Sequence, residues 1–75
     1  MEYLRNEVAI KKLGNRIKEI RLSKNISQEN LAYEAGLEYS QISRIERGII
    51  YTSISHIFAI AKALEIEPAE LFINH

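Results

Sequence analysis

The sequence predicts an all-α protein of about five helices, and two observations support that fold class. Apolar residues recur every three or four positions through most of the 75 residues, which is the helical period, and no stretch alternates apolar and polar residues as a strand does. Residues that begin or end helices, such as Ser27, Gly36 and Gly48, separate these segments. A chain of this length has room for a single domain, residues 1–75.

The first helix is predicted over about residues 8–24, and residues 1–10 are an N-terminal extension of it. Gly14 interrupts the helix at a cost of about 1 kcal/mol relative to alanine. Asn25 suits the left-handed conformation that closes a helix. One side of the helix is apolar and the other is basic. The apolar stripe is Ile10, Leu13, Ile17 and Ile20, and the basic stripe is Lys11, Lys12, Arg16 and Lys18.

The second and third helices are predicted over residues 28–35 and 39–47. Ser27 caps the second helix, and Gly36 ends it because glycine adopts a positive φ without strain. Gly48 closes the third helix for the same reason. Their buried stripes are Leu31, Ala32 and Ala35 in one and Ile42 and Ile45 in the other. Two short helices joined by such a turn can lay one helix in the DNA major groove.

The fourth helix is predicted to open near Thr52 or Ser53, and a short fifth helix begins at Glu67 and Pro68. Proline is tolerated in the first turn, where its missing N–H would have no helical partner. Leu71 and Phe72 form the apolar face of the fifth helix. The buried stripe of the fourth helix is Ile54, Ile57, Ile60, Ala61 and Leu64.

Composition excludes several classes of protein. Hydrophobic residues make up 47% and charged residues 27% of the chain, which is typical of a globular domain. No apolar run approaches the roughly 18 residues of a membrane span, and the charged N-terminus is unlike a secretory signal, so we expect a soluble cytoplasmic protein. The absence of cysteine excludes disulfides and cysteine zinc sites. His56 and His75 match no catalytic or metal-ligand pattern, so we expect no enzyme activity, metal or cofactor.

The formal net charge is zero, whereas nucleic-acid-binding domains are typically basic. The charges are unevenly distributed, however. Residues 1–50 carry nine basic and seven acidic side chains, a balance of plus two, and residues 51–75 carry one basic and three acidic, a balance of minus two. The positive balance of residues 1–50 favours binding of this half of the chain to phosphate groups.

Over residues 13–72 the chain resembles the lambda-repressor-like helix-turn-helix family, also called the Xre or Cro/C1 type. The resemblance rests on many positions at fixed spacing. They are Ile17, Ile20 and Arg21, then Ser27-Gln28-x-x-Leu31-Ala32, Ala35-Gly36-Leu37, Ile42-Ser43-x-Ile45-Glu46-x-Gly48, and Ile60-Ala61-Lys62-Ala63-Leu64. Restriction-modification controller proteins are similar in their QENLAY-like opening, IERG ending and short length. Glu38 and Gln41 depart from the residues that these proteins often carry.

The resemblance implies residues that contact double-stranded DNA. The base-reading residues at the start of the third helix would be Tyr39, Ser40, Gln41, Ser43 and Arg44. Arginine can bond O6 and N7 of guanine, and glutamine N6 and N7 of adenine. The expected phosphate contacts are Gln28, at a helix N-terminus, and Arg47, Tyr51 and Thr52. The alternative is that these are solvated polar residues on surface helices.

The resemblance also implies a structural pair, and the apolar residues of the C-terminal part indicate a dimer. Arg21 and Glu46 match a family pair that ties the first helix to the end of the third. A homodimer would space two recognition helices about 34 Å apart. Its interface would be Phe58, Ile66, Leu71, Phe72 and Ile73, which exceed what so small a core needs. The alternative is additional packing of the fifth helix on the fourth.

We therefore expect a homodimeric transcriptional regulator that reads a pseudo-palindromic operator and acts by occupying it. RNA polymerase or another protein as a further partner stays open, and neither a membrane nor a small-molecule ligand is expected. The rival hypothesis is an antitoxin-like protein-interaction module with secondary or no DNA binding. The zero net charge and the acidic residues Glu29, Glu34 and Glu38 support it.

Overall fold

The computed structural model describes residues 6–72, which form four α-helices followed by a 3₁₀ helix. They are α1 (Glu7–Ser23), α2 (Gln28–Ala35), α3 (Tyr39–Arg47), α4 (Ile54–Ala63) and the 3₁₀ helix Pro68–Phe72. The predicted all-α class is therefore confirmed. The predicted short fifth helix is present over Pro68–Phe72, but as a 3₁₀ helix, so the expected count of five is off by one α-helix. None of the helices within residues 6–72 is both long and apolar enough to cross a membrane.

Local capping determines where the helices begin and end. Ser27 Oγ accepts a hydrogen bond of 3.0 Å from the backbone N–H of Asn30, and Ser53 caps α4 in the same way. Gly36 and Gly48 end α2 and α3 with φ of 71° and 70°. Two residues other than glycine are also left-handed, namely Asn25 at 58°, as predicted, and Glu65 at 59°, which the sequence did not indicate.

The core receives buried apolar side chains from every helix. α1 packs on α3, α2 packs on α3 and α4, and the 3₁₀ helix packs on α1 and α4. The buried apolar residues are Ile17, Ile20, Leu31, Ala32, Ile42, Ile45, Ile57, Ile60, Ala61, Leu64 and Leu71. Ile54 does not belong to this core, contrary to prediction, since it is 69% exposed in the first turn of α4. The buried stripe of α4 therefore begins at Ile57.

Leu71 is only 2% exposed, so its predicted place in a dimer interface is wrong. The 3₁₀ helix turns this side chain into the protomer's own core, where it is covered without a partner. Ile66 is half-buried against the same core. Ile73, also predicted at the interface, lies outside the described residues.

Gly14 lies where α1 crosses the C-terminal end of α3. A Cβ atom at this position would lie 2.2 Å from the carbonyl oxygen of Ile45 and 2.8 Å from that of Glu46. Only a residue without a side chain allows the two backbones to approach so closely. Gly14 thus fixes the position of α3 against α1.

Candidate nucleic-acid interface

α2 and α3 form a helix-turn-helix in which one face of α3 is buried and the other exposed. The turn follows Gly36, and the backbone N–H of Leu37 donates a 2.9 Å hydrogen bond to the carbonyl of Ala32. The buried face of α3 consists of Ile42, Ile45 and Glu46. The predicted base-reading residues Tyr39, Ser40 and Arg44 are exposed, and Gln41 and Ser43 are partly buried. The structure therefore brings this predicted set onto one short helix, beginning at its N-terminus.

Gln41 is engaged in the capping of α3. Its side-chain Oε1 accepts a 2.9 Å hydrogen bond from the backbone N–H of Glu38, the residue that precedes the helix. A bidentate contact with adenine would need this same oxygen to accept from N6. A side-chain amide oxygen has two lone pairs, so one remains for N6, and the pairing of Gln41 with adenine stays a prediction. The spacing of Glu38 and Gln41 is that of a capping box, so the capping role could have been found in the sequence.

A buried network joins Arg21, Gln28 and Glu46. Arg21 donates from Nε to Oε2 of Glu46 at 2.7 Å and from Nη2 to Oε1 at 3.0 Å, which makes the pair bidentate. Its Nη1 also donates to the carbonyl of Ile26 at 2.7 Å. The side chains of Arg21 and Glu46 are only 7% and 2% exposed. The ends of α1 and α3 are therefore held together by a charged pair that is shielded from water.

Gln28, predicted to contact a phosphate, belongs to the same network. Its Nε2 donates a 2.9 Å hydrogen bond to Oε1 of Glu46. An amide nitrogen carries two N–H groups, so one remains for another acceptor. Gln28 is also the first residue of α2, where the backbone N–H groups of the first turn have no helical partners. The sequence did not indicate the bond to Glu46, because the two residues are 18 positions apart.

Arg47, Tyr51 and Thr52 lie at the end of α3 and in the segment that follows it. Arg47 and Tyr51 are exposed, and Arg47 Nε donates to the Ser43 carbonyl at 3.3 Å. Thr52 differs, because its hydroxyl is buried and has no hydrogen-bond partner among the described residues. Thr52 lines an apolar groove of about 300 Å³ between α1, this segment and the 3₁₀ helix. A phosphate contact by the Thr52 hydroxyl therefore does not fit the structure.

Phe58 and Phe72 provide exposed apolar surface on two elements that pack together. Phe58 on α4 is 58% exposed and Phe72 in the 3₁₀ helix is 62% exposed. Ile54 stands one turn before Phe58 on α4 and is exposed as well. We call Ile54, Phe58 and Phe72 the apolar surface. Within residues 6–72, no group of three or more acidic or histidine side chains could hold a metal ion.

Comparisons with known proteins identify relatives of this helical arrangement. A helix-turn-helix family model matches residues 17–71. Control protein C.BamHI of Bacillus amyloliquefaciens is 48% identical over 59 residues, which cover 77% of this chain and 73% of that protein. The crystal structure of the restriction-modification controller protein C.AhdI from Aeromonas hydrophila matches with a TM-score of 0.85 and 43% identity, covering 87% of this chain and 98% of that one. The wild-type restriction-modification controller protein C.Esp1396I matches at 0.79 with 38% identity, covering 85% and 83%.

Proposed function

Since the chain belongs to the helix-turn-helix family that includes the restriction-modification controller proteins, we propose that it regulates transcription as a homodimer bound to a pseudo-palindromic DNA operator. The observation that carries this proposal is the exposed polar face of α3. Ser40, Arg44 and Arg47 are exposed there, while Ile42 and Ile45 fix the helix to the core. A recognition helix needs this division between a packed face and a face free to enter the major groove.

The base contacts are assigned to the first two turns of α3. Arg44 is exposed and can bond O6 and N7 of guanine, a contact that discriminates by about 1–3 kcal/mol. Tyr39 is 52% exposed at the first position of the helix. Together with Ser40, Gln41 and Ser43, these residues form the proposed reading surface.

The phosphate contacts are assigned to either side of α3. On one side, the first turn of α2 offers backbone N–H groups and the remaining amide N–H of Gln28. On the other side, Arg47 and Tyr51 are exposed at the end of α3 and beyond it. The chain would thus contact the phosphates on both sides of one major groove.

Dimerisation is assigned to the apolar surface of Ile54, Phe58 and Phe72. Two copies related by a two-fold axis bury the same patch on each protomer. Such a dimer presents two α3 helices to successive major grooves about 34 Å apart. Occupancy of the operator then depends on protein concentration. We also assign the protein to the cytoplasm, as the place where it meets its DNA.

The salt dependence of binding tests the proposal. Neutralising Z phosphates makes the logarithm of the binding constant fall with the logarithm of salt concentration at a slope near −0.9Z. We expect roughly four to eight phosphate contacts per dimer.

Fragments selected from a random DNA pool should share a pseudo-palindrome, and Arg44→Ala should relax one position of each half-site. Lys62→Ala, which removes an exposed charge on α4, is the matched control. Absence of binding to any fragment at about 50 mM salt would favour the protein-interaction module instead.

A further inference from the structure

Lys11, the first residue of the basic stripe on α1, lies against the C-terminal end of α3. A Cβ atom at Gly48 would lie 2.8 Å from both Cα and Cγ of Lys11. One turn further along α1, Gly14 meets the backbone of Ile45 and Glu46 in the same way. α1 therefore runs along the end of α3, and the stem of the Lys11 side chain packs on Gly48.

The charged group of Lys11 is accessible at this place. Lys11 is exposed, and it forms no ion pair with any side chain of residues 6–72. Its flexible four-carbon stem ends in a compact positive charge with three N–H donors. Arg47, the residue before Gly48, is exposed as well. Two cations, one from α1 and one from α3, thus stand at the same end of the recognition helix.

The cations at this end of α3 exceed what the helix itself needs. A helix C-terminus carries a partial negative charge that a basic side chain stabilises. The last turn of α3 already contains Arg44 and Arg47, so this end is matched without Lys11. Positive charges close together repel one another, and a phosphate bound beside them removes that repulsion. A third cation here therefore favours an anion from outside the chain.

We propose that Lys11 is a DNA phosphate contact, supplied by α1 to the same side of the major groove as Arg47. This inference rests on the proposed function, and it extends the DNA-binding surface from α2 and α3 to the first helix. A phosphate contact carries no sequence information directly, because the backbone is the same at every base pair. Lys11 therefore contributes affinity and fixes the position of the protein on DNA, whereas base preference stays with α3.

The salt dependence of the variant Lys11→Met tests the contact. Methionine keeps an unbranched stem against Gly48 but removes the charge, so the free energy of unfolding should stay close to that of the wild type. A dimer loses two phosphate contacts, so the slope of log binding constant against log salt should become shallower by about 1.8. The affinity advantage of the wild type should accordingly shrink roughly tenfold between about 50 and 200 mM salt.

Lys12→Met is the matched control for this measurement. Lys12 is exposed on the same helix and carries the same charge, but it lines the groove between α1 and the 3₁₀ helix. Both substitutions change the net charge equally, so a long-range effect of charge on DNA binding would appear in both. The slope should become shallower by about 1.8 for Lys11→Met and change far less for Lys12→Met.

Neutral methylphosphonate linkages locate the contact on the operator. Each linkage replaces one charged phosphate oxygen by a methyl group and so removes the charge of a single phosphate. One of the positions that weaken wild-type binding should have no effect on binding of Lys11→Met. That phosphate should be the same as, or next to, the one that has no effect on Arg47→Ala.

The inference fails if Lys11→Met keeps the wild-type slope or changes it no more than Lys12→Met does. It also fails if Lys11→Met responds to the same phosphates as the wild type, or if its phosphate lies on the side assigned to Gln28. A lower free energy of unfolding with an unchanged slope would show that Lys11 only stabilises the end of α3. In each of these cases wild-type protein still binds DNA, so the proposed function survives. Failure of wild-type protein to bind any fragment would overturn the proposed function itself.

Discussion

Gln28, the first residue of α2, donates a 2.9 Å hydrogen bond from Nε2 to Oε1 of Glu46 in the last turn of α3. The same carboxylate is held by Arg21 from α1. One buried group therefore sets the start of α2, the proposed phosphate contact, against the recognition helix. Because Glu46 occupies one N–H of the Gln28 amide, it also orients the other.

This relationship predicts coupling between Gln28 and Glu46 in DNA binding. Gln28→Ala and Glu46→Gln should each weaken binding, and the double variant should be less impaired than the sum of the two. We expect an interaction energy of about 0.5–3 kcal/mol, which fluorescence anisotropy on a labelled operator can measure. The control cycle pairs Gln28→Ala with Lys62→Ala, which should be additive. Additivity of Gln28 and Glu46 would show that Glu46 does not orient the amide.

Glu46→Ala should lower stability and DNA affinity together. The substitution leaves the guanidinium of Arg21 buried without its carboxylate, and breaking such a pair costs about 3–5 kcal/mol. Urea unfolding and operator binding are the measurements. Glu19→Ala is the matched control, because it breaks the exposed 3.3 Å pair with Arg16 and should cost less than about 1 kcal/mol. A fall in affinity with an unchanged free energy of unfolding would contradict the bracing role of Glu46.

Gly14→Ala should destabilise the fold, although helix propensity alone predicts a gain of about 1 kcal/mol. The new methyl group would meet the Ile45 carbonyl oxygen at 2.2 Å, and forcing atoms into a packed site costs about 1–3 kcal/mol. Gly36→Ala is the control, because nothing lies within 4 Å of its added Cβ and only the positive φ is penalised, by about 1–2 kcal/mol. In thermal unfolding, a Gly14→Ala protein more stable than wild type would show that α1 can move away from α3.

Features encoded by neighbouring residues could be predicted from the sequence. The bounds of α2 and α3 follow from Ser27, Gly36 and Gly48, each of which acts on its own helix end. The role of Gly14 could not be predicted in this way, because the atoms that require a glycine belong to α3, some 30 residues away. Sequence alone therefore shows the cost of this glycine within α1 but not its effect on packing.

The direction in which a side chain points was harder to predict where regular helix gives way to other structure. Leu71 lies in a 3₁₀ helix and Thr52 in the segment before α4, and both face inward although they were assigned to contact a partner. Periodicity predicts which face of a regular helix is buried. Outside a regular helix, the path of the backbone decides what a side chain contacts. Gln41 is a different case, because its capping role is visible in the spacing to Glu38.

Phe58→Asp and Phe72→Asp should each weaken the proposed homodimer. Both rings are more than half exposed in the protomer, and burying a phenylalanine side chain contributes about 1.5–3 kcal/mol. We therefore expect the dimer dissociation constant to rise on the order of tenfold or more for each substitution in sedimentation equilibrium. Operator affinity should fall as well, because only a dimer holds two α3 helices on one operator. Tyr33→Asp is the control, since Tyr33 is 81% exposed on α2 and lies outside the apolar surface. A wild-type protein that stays monomeric at micromolar concentration would contradict the proposed homodimer. A two-fold dimer carries each substitution twice, so Phe58 and Phe72 variants that dimerise normally would exclude this surface as the interface.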